Sequence, residues 1–520
     1  MIAEYPTRRE LRRALAQTES GSLDFVVLAA GEDDAASLEE CIRALRPGGL
    51  LFVQGTPDRL PEVGVFLDSR LRFKYWIAIE SERRGDSRLP SVHAAVLLFA
   101  KEGRRFDIKP MRSPHQSCAS CGRSLKDWGG KTHLMHPQGF ALSDVWTHLG
   151  PTDNYSRLSR PALDAVLSMI PQESRGLVCM EGSVSARERV SVPHLRANEI
   201  DPSLVDVIHC GDAVEILRNY PDNSIDLVFA DPPYNLNKGY GTYEDGTEEE
   251  QYIEWCNSWL SEYVRILKPT GSLYTLNLPR WAMHHAAFLN QRLYFQNWIA
   301  WSALSEPRGK LMPAHYGLLF YTKCAAGFTF NYDEVGSIDS RHYCLRAGCI
   351  RDRKKSGADD REPLTDIWWD IHRIRHKRDR DWHPCQLPDA LMERIIRLST
   401  NEGDIVLDAL CGVGTTPVIA AKLGRRYVGI DIDADYVAIT EEKLRSVREK
   451  GSVIRTSTSK SKLPISKREL QLELRSIAAQ LGRLPTPEDV EHLSAHGLDA
   501  FLSTFPTWSK ALKAAKLEVP

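Results

Sequence analysis

The stretch "VLDALCGVGTT" (residues 406–416) has the form of an apolar strand that ends in an aspartate and is followed by a turn with two glycines. A helix-patterned stretch, "PVIAAKLG", follows, and the next strand, "YVGIDID", ends in Asp431. Gly412 and Gly414 would let the backbone approach a ligand more closely than any side chain permits. Asp431 lies where an acidic residue can bind ribose hydroxyls. The combination predicts a nucleoside-cofactor site, whereas the glycine turn alone would also fit an ordinary strand-to-helix turn.

Strand-like runs and helix-patterned stretches alternate along the same part of the chain. "SIDLVFA" (224–230) and "DIVLDAL" (404–410) are of the first kind, and "EEQYIEWCNSWLSEYVRIL" (249–267) is of the second. This alternation predicts an α/β fold with a parallel sheet. A chain of 520 residues is also long enough for two or three domains.

Composition limits the class of protein. The charged fraction of 26% and the hydrophobic fraction of 42% are typical of soluble globular proteins, and the net charge of -2 excludes a uniformly basic nucleic-acid binder. Basic residues are nevertheless concentrated in "HRIRHKRDRDWH" (372–383) and in the C-terminal tail. No apolar run approaches the roughly 20 residues of a membrane helix. Eleven cysteines in a chain of this length favour a reducing cytoplasm over a disulfide scaffold.

An internal repeat divides the chain. Four pairs of segments match in the same order: 22–32 with 224–234, 42–55 with 264–277, 142–146 with 364–368, and 160–180 with 387–407. We therefore expect two copies of one domain in tandem, at residues 1–190 and 200–448. A Ser/Thr/Lys-rich linker (449–465) and a small helical module (466–520) would follow.

The run "LVFADPPYNL" (227–236) ends in a carboxylate, two prolines and a tyrosine. Together with the cofactor pattern, it resembles the S-adenosylmethionine-dependent DNA amino-methyltransferases. Their catalytic signature, Asp/Asn/Ser-Pro-Pro-aromatic, matches Asp231-Pro232-Pro233-Tyr234, and their cofactor signature matches residues 408–415. The catalytic motif comes first, as in the β class, and the resemblance covers residues 206–445.

The resemblance implies a Rossmann-like fold, S-adenosylmethionine as cofactor and double-stranded DNA as partner. Asp231 and the carbonyl of Pro232 would bind the amine of a flipped-out base, on which Tyr234 would stack. Aspartate at the first catalytic position favours adenine N6. Cytosine N4, RNA methylation and a non-catalytic DNA-binding protein that keeps the fold are the alternatives. The expected cofactor-binding residues are Asp212, Asp408, Cys411, Gly412, Gly414, Thr415 and Asp431.

Two positions depart from the family pattern. Cys411 stands where the family usually has phenylalanine in the cofactor turn. Leu387 replaces the usual lysine in "HPCQLPDAL" (383–391). Neither change removes a group that methyl transfer needs. The residues that recognise the target are expected between positions 280 and 380. Their pattern does not identify the DNA sequence that is recognised.

The first copy has lost both signatures. At the positions that correspond to Asp231-Pro232-Pro233-Tyr234 it has Ala29, Ala30, Gly31 and Glu32. At the position of the cofactor turn it has "CMEGSVSARERV" (179–190), which lacks the paired glycines. Because enzymes of this family often act as dimers, we expect an inactive copy that serves as an internal partner. Further oligomerisation stays open, as does a role in restriction-modification, defence or regulation. The implied location is a prokaryotic cytoplasm, in association with DNA.

Four cysteines lie at matching places in the two copies. "CASC" contains Cys118 and Cys121, and "CLRAGC" contains Cys344 and Cys349. Four thiolates could form a tetrahedral zinc site that joins the copies. Unliganded cysteines are the equally weighted alternative.

The tail (474–520) is similar to the homing-endonuclease-associated repeat. The matching residues are 481–483, 485–486, Phe505, 508–512 and 514–515. The resemblance implies a small helix-turn-helix DNA binder, and a helical cap or protein-contact module is the alternative. Lys510, Lys513 and Lys516 recur every three residues, consistent with one helical face toward phosphates. Phe505 and Trp508 are expected in the module's core.

Overall fold

The structure is a computed structural model that describes residues 2–31, 34–84, 88–102, 107–125, 133, 135–147, 160–179, 181, 196–236, 239–240, 243–244, 246–303, 311–344, 346–357, 361–374, 386–450, 467–505, 507–515 and 517. The chain divides into two compact units, 1–453 and 454–520. None of the described helices combines the length and apolar character that a membrane crossing requires.

The first half of the larger unit is built on a seven-stranded sheet. Its strands and helices are β1 (Ile2–Tyr5), α1 (Arg8–Gln17), β2 (Leu23–Ala29), α2 (Asp34–Ala44), β3 (Leu45–Gly55), α3 (Leu60–Asp68), β4 (Arg72–Arg84), β5 (Ser91–Ala100), β6 (Arg112–Ser113), β7 (Phe140–Ala141), β8 (Val145–Trp146), α4 (Arg160–Met169) and β9 (Gly176–Cys179). The strand order is β1-β9-β2-β3-β5-β4-β8, and β6 pairs separately with β7. β5 runs antiparallel to both of its neighbours.

The second half is built on an eight-stranded sheet. Its elements are β10 (Val207–Cys210), α5 (Ala213–Leu217), β11 (Ile225–Ala230), β12 (Gly239–Tyr240), β13 (Tyr243–Glu244), α6 (Glu249–Ile266), β14 (Leu267–Asn277), α7 (Pro279–Leu289), β15 (Tyr294–Trp301), β16 (Tyr316–Thr322), α8 (Tyr332–Val335), β17 (Ser337–Asp339), α9 (Ala347–Ser356), β18 (Arg361–Pro363), β19 (Ile367–Trp368), α10 (Asp389–Ser399), β20 (Ile405–Asp408), α11 (Thr415–Lys422), β21 (Arg426–Asp431) and α12 (Ala434–Lys450). The order is β10-β21-β20-β11-β14-β16-β15-β19. The predicted α/β class is confirmed.

Six strands follow the same spatial order in both sheets. The series β9-β2-β3-β5-β4-β8 corresponds to β20-β11-β14-β16-β15-β19. Even an irregularity recurs, because the register of β2 on β3 shifts after Leu23 and that of β11 on β14 shifts after Ile225. The sheets differ beyond this series. In the first sheet β9 pairs with β1, which comes from the start of the chain, whereas in the second sheet β20 pairs with β21, the next strand along the chain.

The two halves meet through corresponding residues. Trp76 of β4 and Trp298 of β15 stack with ring centroids 3.8 Å apart and an interplanar angle of 11°. Asp144, in the first half, accepts a hydrogen bond from the backbone N–H of Ala314, in the second, at 2.8 Å. In the reverse direction Asp366 accepts one from the N–H of Val92, also at 2.8 Å. Such reciprocity is the pattern of a two-fold, isologous contact.

β11 lies at the centre of the second sheet. Its apolar residues, Ile225 and 227–230, are fully buried, as expected of a strand covered on both faces. It pairs in parallel with β14 on one side and β20 on the other. The carboxyl ends of β11 and β20 therefore lie side by side, at the edge where α/β sheets bind ligands.

The described residues of the smaller unit, taken by itself, form four helices. Its helices are α13 (Lys467–Leu481), α14 (Pro487–Leu493), α15 (Leu498–Thr504) and α16 (Trp508–Ala514). Gly482, directly after α13, has a φ of +65°, a conformation that glycine adopts readily at a helix end. Phe505 is buried, and Trp508 is partly buried against the same core, as predicted. α12 ends at Lys450, next to the predicted start of the linker at residue 449, and residues 451–466 lie outside the described ranges.

Candidate active site

A single cleft at the carboxyl ends of β11, β20 and β21 gathers the predicted catalytic and cofactor residues. It encloses about 1130 Å³, its open mouth included. Apart from Gly414, every predicted catalytic and cofactor-binding residue lines it, and so does Leu387. The arrangement follows from the sheet, because each of these turns continues directly from one of the parallel strands.

The Asp-Pro-Pro-Tyr turn is held by hydrogen bonds as well as by its prolines. Tyr234 donates its hydroxyl hydrogen to Asp231 Oδ1 at 2.6 Å. The hydroxyl of Tyr252 donates to the carbonyl of Pro233 at 2.6 Å, and the indole N–H of Trp281 donates to the carbonyl of Tyr234 at 3.0 Å. Both donors are buried side chains of the following helices, α6 and α7. The turn is thus fixed at both ends of the proline pair.

Aromatic side chains continue the site beyond Tyr234. The ring centroid of Tyr316 lies 5.6 Å from that of Tyr234, and the ring centroid of Trp301, a buried residue, lies 5.4 Å from that of Tyr316. The sequence did not single out either residue, although both fall within the 280–380 region expected to recognise the target. Residues 304–310 and 375–380 of that region lie outside the described ranges, and so does the rest of the basic run, residues 381–383.

The glycine turn needs both of its glycines. Gly412 has a φ of +51° and Gly414 a φ of +77°, in the region that side chains disfavour. A Cβ on Gly414 would also lie 2.3 Å from Cγ2 of Thr440. The N–H of Gly412 donates to Asp431 Oδ2 at 2.8 Å, so the acidic residue and the turn are joined directly.

Two carboxylates shape this turn: Asp408, which is buried, and Asp431, which is partly buried. Asp408 accepts hydrogen bonds from the hydroxyl of Thr416 at 2.6 Å and from the N–H of Leu410 at 3.1 Å. Burial raises the pKa of Asp408 to about 7. Burial also raises the pKa of Asp431. Asp408 therefore borders the cleft but bonds mainly to its own turn.

The remaining predicted cofactor residues have distinct local roles. Asp212 caps α5, where its carboxylate accepts from the N–H of Glu215 at 3.0 Å. Cys411 is buried beneath the turn, and burial raises the pKa of its thiol. Thr415 is the first residue of α11. All three border the cleft.

The sequence interpretation missed several lining residues. Ile432 is 59% exposed directly after Asp431, an unusual setting for a large apolar side chain. Tyr436 and Trp255 also line the cleft, and Asp433 accepts from the N–H of Asp435 at 2.9 Å at the start of α12. The run "GIDID" offered a partial signal, because an isoleucine between two aspartates at a strand end is poorly placed to be core.

Away from this cleft, the four predicted cysteines converge. Cys118 Sγ lies 3.7 Å from Cys349 Sγ, and Cys121 Sγ lies 3.6 Å from Cys344 Sγ. All four sulfurs lie within 4.8 Å of one another.

Comparison with known proteins agrees with the geometry. Residues 225–442 match the DNA methylase family, and residues 465–518 match the homing endonuclease associated repeat. Type II methyltransferase M.HpaI of Haemophilus parainfluenzae is 36% identical over 242 residues, which are 46% of this chain and 73% of that protein. DNA adenine methyltransferase YhdJ of Escherichia coli (strain K12) is 33% identical over 250 residues, which are 46% of this chain and 82% of that protein.

Another relative is Type II methyltransferase M.BamHI of Bacillus amyloliquefaciens. It is 35% identical over 237 residues, 43% of this chain. The match spans about half of that relative's length, 54%.

Proposed function

Because this chain belongs to the DNA methylase family, we propose that it transfers a methyl group from S-adenosylmethionine to N6 of an adenine flipped out of double-stranded DNA. The observation that carries the proposal is the joining of Asp231-Pro232-Pro233-Tyr234 and the Gly412 turn in one cleft. Aspartate at the first catalytic position favours adenine, and one relative is named a DNA adenine methyltransferase.

Asp231 and Pro232 would activate the target amine. An exocyclic amine is a poor nucleophile, because its lone pair is delocalised into the ring. A carboxylate oxygen of Asp231 and the carbonyl oxygen of Pro232 would each accept a hydrogen bond from one N–H group of the amine, which would localise the lone pair on nitrogen. The prolines keep the backbone aimed, since their ring fixes φ.

Tyr234 would hold the flipped base. Extruding a base costs a few kcal/mol, and stacking on an aromatic ring returns about 1–3 kcal/mol. Tyr316, which is partly buried, lies next to Tyr234 and would enlarge that contact, while buried Trp301 packs against Tyr316. Because Tyr234 also bonds to Asp231, stacking and amine binding would be coupled through one side chain.

The chain's residues fit the cofactor. The positive φ angles of Gly412 and Gly414 let the turn approach a ligand, Asp431 offers a carboxylate for ribose hydroxyls, and exposed Ile432 offers an apolar surface for a base. S-adenosylmethionine supplies an electrophilic methyl group on a sulfonium. Cys411 and Thr415 would complete the walls of its site.

The first half is proposed to be a degenerate copy that acts as an internal partner. Its shared strand order and the reciprocal Asp144 and Asp366 contacts support a common origin and a pseudo-dimer. At the corner after β2, the Arg8 guanidinium donates to the carbonyl of Ala29, and a Cβ on Gly31 would lie 2.0 Å from Arg8 Nη1.

Arg8 therefore fills the space that corresponds to the catalytic corner of the second half. The backbone N–H of Arg8 donates to Glu181 Oε2 at 2.6 Å, and this bond holds the start of α1 over that corner. Glu32 and residues 182–190 lie outside the described ranges. Calorimetric titration of the full chain with S-adenosylmethionine is expected to give one site per chain; two sites would overturn the assignment of a degenerate copy.

The C-terminal homing endonuclease associated repeat is proposed to add DNA contacts. Lys510 and Lys513 are exposed on α16, as a phosphate-binding face requires, and Lys516 lies outside the described ranges. This contact would add affinity without base specificity, because phosphates carry no sequence information.

The activity is tested with Asp231→Ala. DNA from cells that express the wild type or the variant is sequenced with methylation detection, and the modified nucleoside is identified after digestion. We expect N6-methyladenine at one sequence motif with the wild type and none with the variant. Detection of N4-methylcytosine instead would show that the target base is cytosine and not adenine. Unchanged methylation by Asp231→Ala would refute the mechanism. Exposed Asp435 provides the control variant, Asp435→Ala.

A further inference from the structure

We propose that Cys118, Cys121, Cys344 and Cys349 bind one structural zinc ion that fastens the two halves of the larger unit together. Two sulfurs come from each half, and all four lie within 4.8 Å of one another. A tetrahedral zinc with Zn–S bonds of about 2.3 Å needs sulfurs about 3.8 Å apart. The closest pairs lie 3.7 Å and 3.6 Å apart.

The separations do not fit two disulfides. A disulfide requires its sulfurs about 2.05 Å apart. Here the sulfurs converge as one group of four, and each close pair joins a residue of the first half to a residue of the second. The cluster therefore resembles a single four-ligand site that crosses between the halves.

The surroundings suit a thiolate cluster. Zinc with four thiolates carries a net charge of about -2, which nearby donors must stabilise. The N–H of Cys344 donates to Cys118 Sγ at 3.3 Å. The guanidinium of Arg353, which is only 4% exposed, donates to Cys349 Sγ at 3.1 Å. A buried cation at this point would offset part of the charge.

Further contacts between the halves surround the cysteines. The N–H of Ala119 donates to the carbonyl of His342 at 2.9 Å, and Arg346 Nη2 donates to the carbonyl of Ser124 at 2.7 Å. Arg341 pairs with Glu80 at 2.7 Å. The proposed ion would thus reinforce an existing contact between the halves.

The role is structural, not catalytic. Four protein ligands close the coordination sphere, whereas a catalytic zinc keeps a position for water or substrate. None of the four cysteines is among the residues that line the methyl-transfer cleft. The proposal therefore does not depend on the proposed function, and Asp231→Ala is expected to retain the metal.

Metal analysis of the full chain tests the site. Protein purified without chelators should contain about one zinc per chain, and the reduced apoprotein should take up Co²⁺ with the absorption spectrum of a tetrahedral tetrathiolate. Cys121→Ser removes the exposed ligand and should lose the metal on dialysis against a chelator. Cys324→Ser changes a cysteine outside the cluster and should retain it.

The fastening role has its own readout. Chelation should lower the melting temperature of the wild type and of Cys324→Ser, and should leave that of Cys121→Ser unchanged. A wild type that contains no zinc and takes up neither Zn²⁺ nor Co²⁺ would overturn the site. A disulfide between any two of the four cysteines in the purified protein would overturn it as well. Bound zinc whose removal leaves the melting temperature unchanged would overturn the fastening role.

Discussion

The hydroxyl of Tyr234 donates a hydrogen bond to Asp231 Oδ1 over 2.6 Å, so the residue proposed to stack on the base also orients the carboxylate proposed to bind its amine. Both residues belong to one rigid turn, and buried Tyr252 and Trp281 hold its carbonyls. Stacking and orientation can be separated, because phenylalanine retains the ring of tyrosine and lacks the hydroxyl.

Tyr234→Phe and Tyr234→Ala should therefore differ. The phenylalanine variant keeps the stacking surface, and we expect a mainly reduced kcat with DNA affinity close to that of the wild type. The alanine variant also loses stacking worth about 1–3 kcal/mol, a roughly 5- to 150-fold weaker binding of DNA. Steady-state kinetics and DNA titrations measure both effects. Equal DNA affinity of the two variants would contradict the stacking role.

Gly414 offers a test of the cofactor turn with an internal control. Gly414→Ala places a side chain at a φ of +77° and 2.3 Å from Thr440, so we expect lost S-adenosylmethionine binding and a destabilised fold. Gly403→Ala imposes a similar φ, +87°, with nothing within 4 Å. That variant should cost about 1–2 kcal/mol of stability and bind the cofactor normally. Calorimetry distinguishes the two, and normal cofactor binding by Gly414→Ala would count against this turn as the site.

The sequence predicts much of this fold because its strongest patterns are local. The buried run that becomes β11 and the paired glycines after β20 each report on backbone geometry within a few residues. The strand order β9-β2-β3-β5-β4-β8 of the first sheet recurs as β20-β11-β14-β16-β15-β19 in the second, while two copies of one domain remain a proposal. The linker start at residue 449 stays a prediction, and α12 ends close to it, at Lys450; polar composition alone does not mark the last turn of such a helix.

The detailed geometry of the site is harder to predict from the sequence, because it depends on packing between segments that are distant along the chain. Asp408 lines the cleft, and its role in cofactor binding stays a prediction; its hydrogen bonds to Thr416 and Leu410 follow from the fold of its own turn, which no motif predicts. Arg8 lies some twenty residues before the corner that it fills in the first half, and no motif connects the two. The convergence of the four cysteines could be predicted from the sequence, since their spacing and their matched positions in the two halves are visible there.

Asp408 should make stability depend on pH. Its pKa in the folded chain is about 7, above its ordinary value of 3.8, so the folded state binds the proton more tightly than the unfolded state. This contribution is complete below about pH 4 and is lost as the pH rises toward 7, at no more than about 1.4 kcal/mol per unit. Asp408→Asn does not ionise; its amide oxygen can still accept from the N–H of Leu410, and its amide nitrogen can donate to the hydroxyl oxygen of Thr416. Relative to this variant, the wild type should lose stability between pH 4 and 7 in denaturant titrations; a constant difference would refute the shift.

The contact between the halves should depend on Asp366. This buried carboxylate accepts from the N–H groups of Val92 and His93, at 2.8 and 3.1 Å, and from the amide of Asn297 at 3.2 Å. Asp366→Asn turns one acceptor into a donor that faces the Asn297 amide, so we expect a loss of about 2–3 kcal/mol in the free energy of unfolding. Asp339→Asn, at an exposed pair with Arg361, should cost less than about 1 kcal/mol. Denaturant titration of both variants measures the difference. Equal stability would mean that the reciprocal aspartates do not hold the halves together.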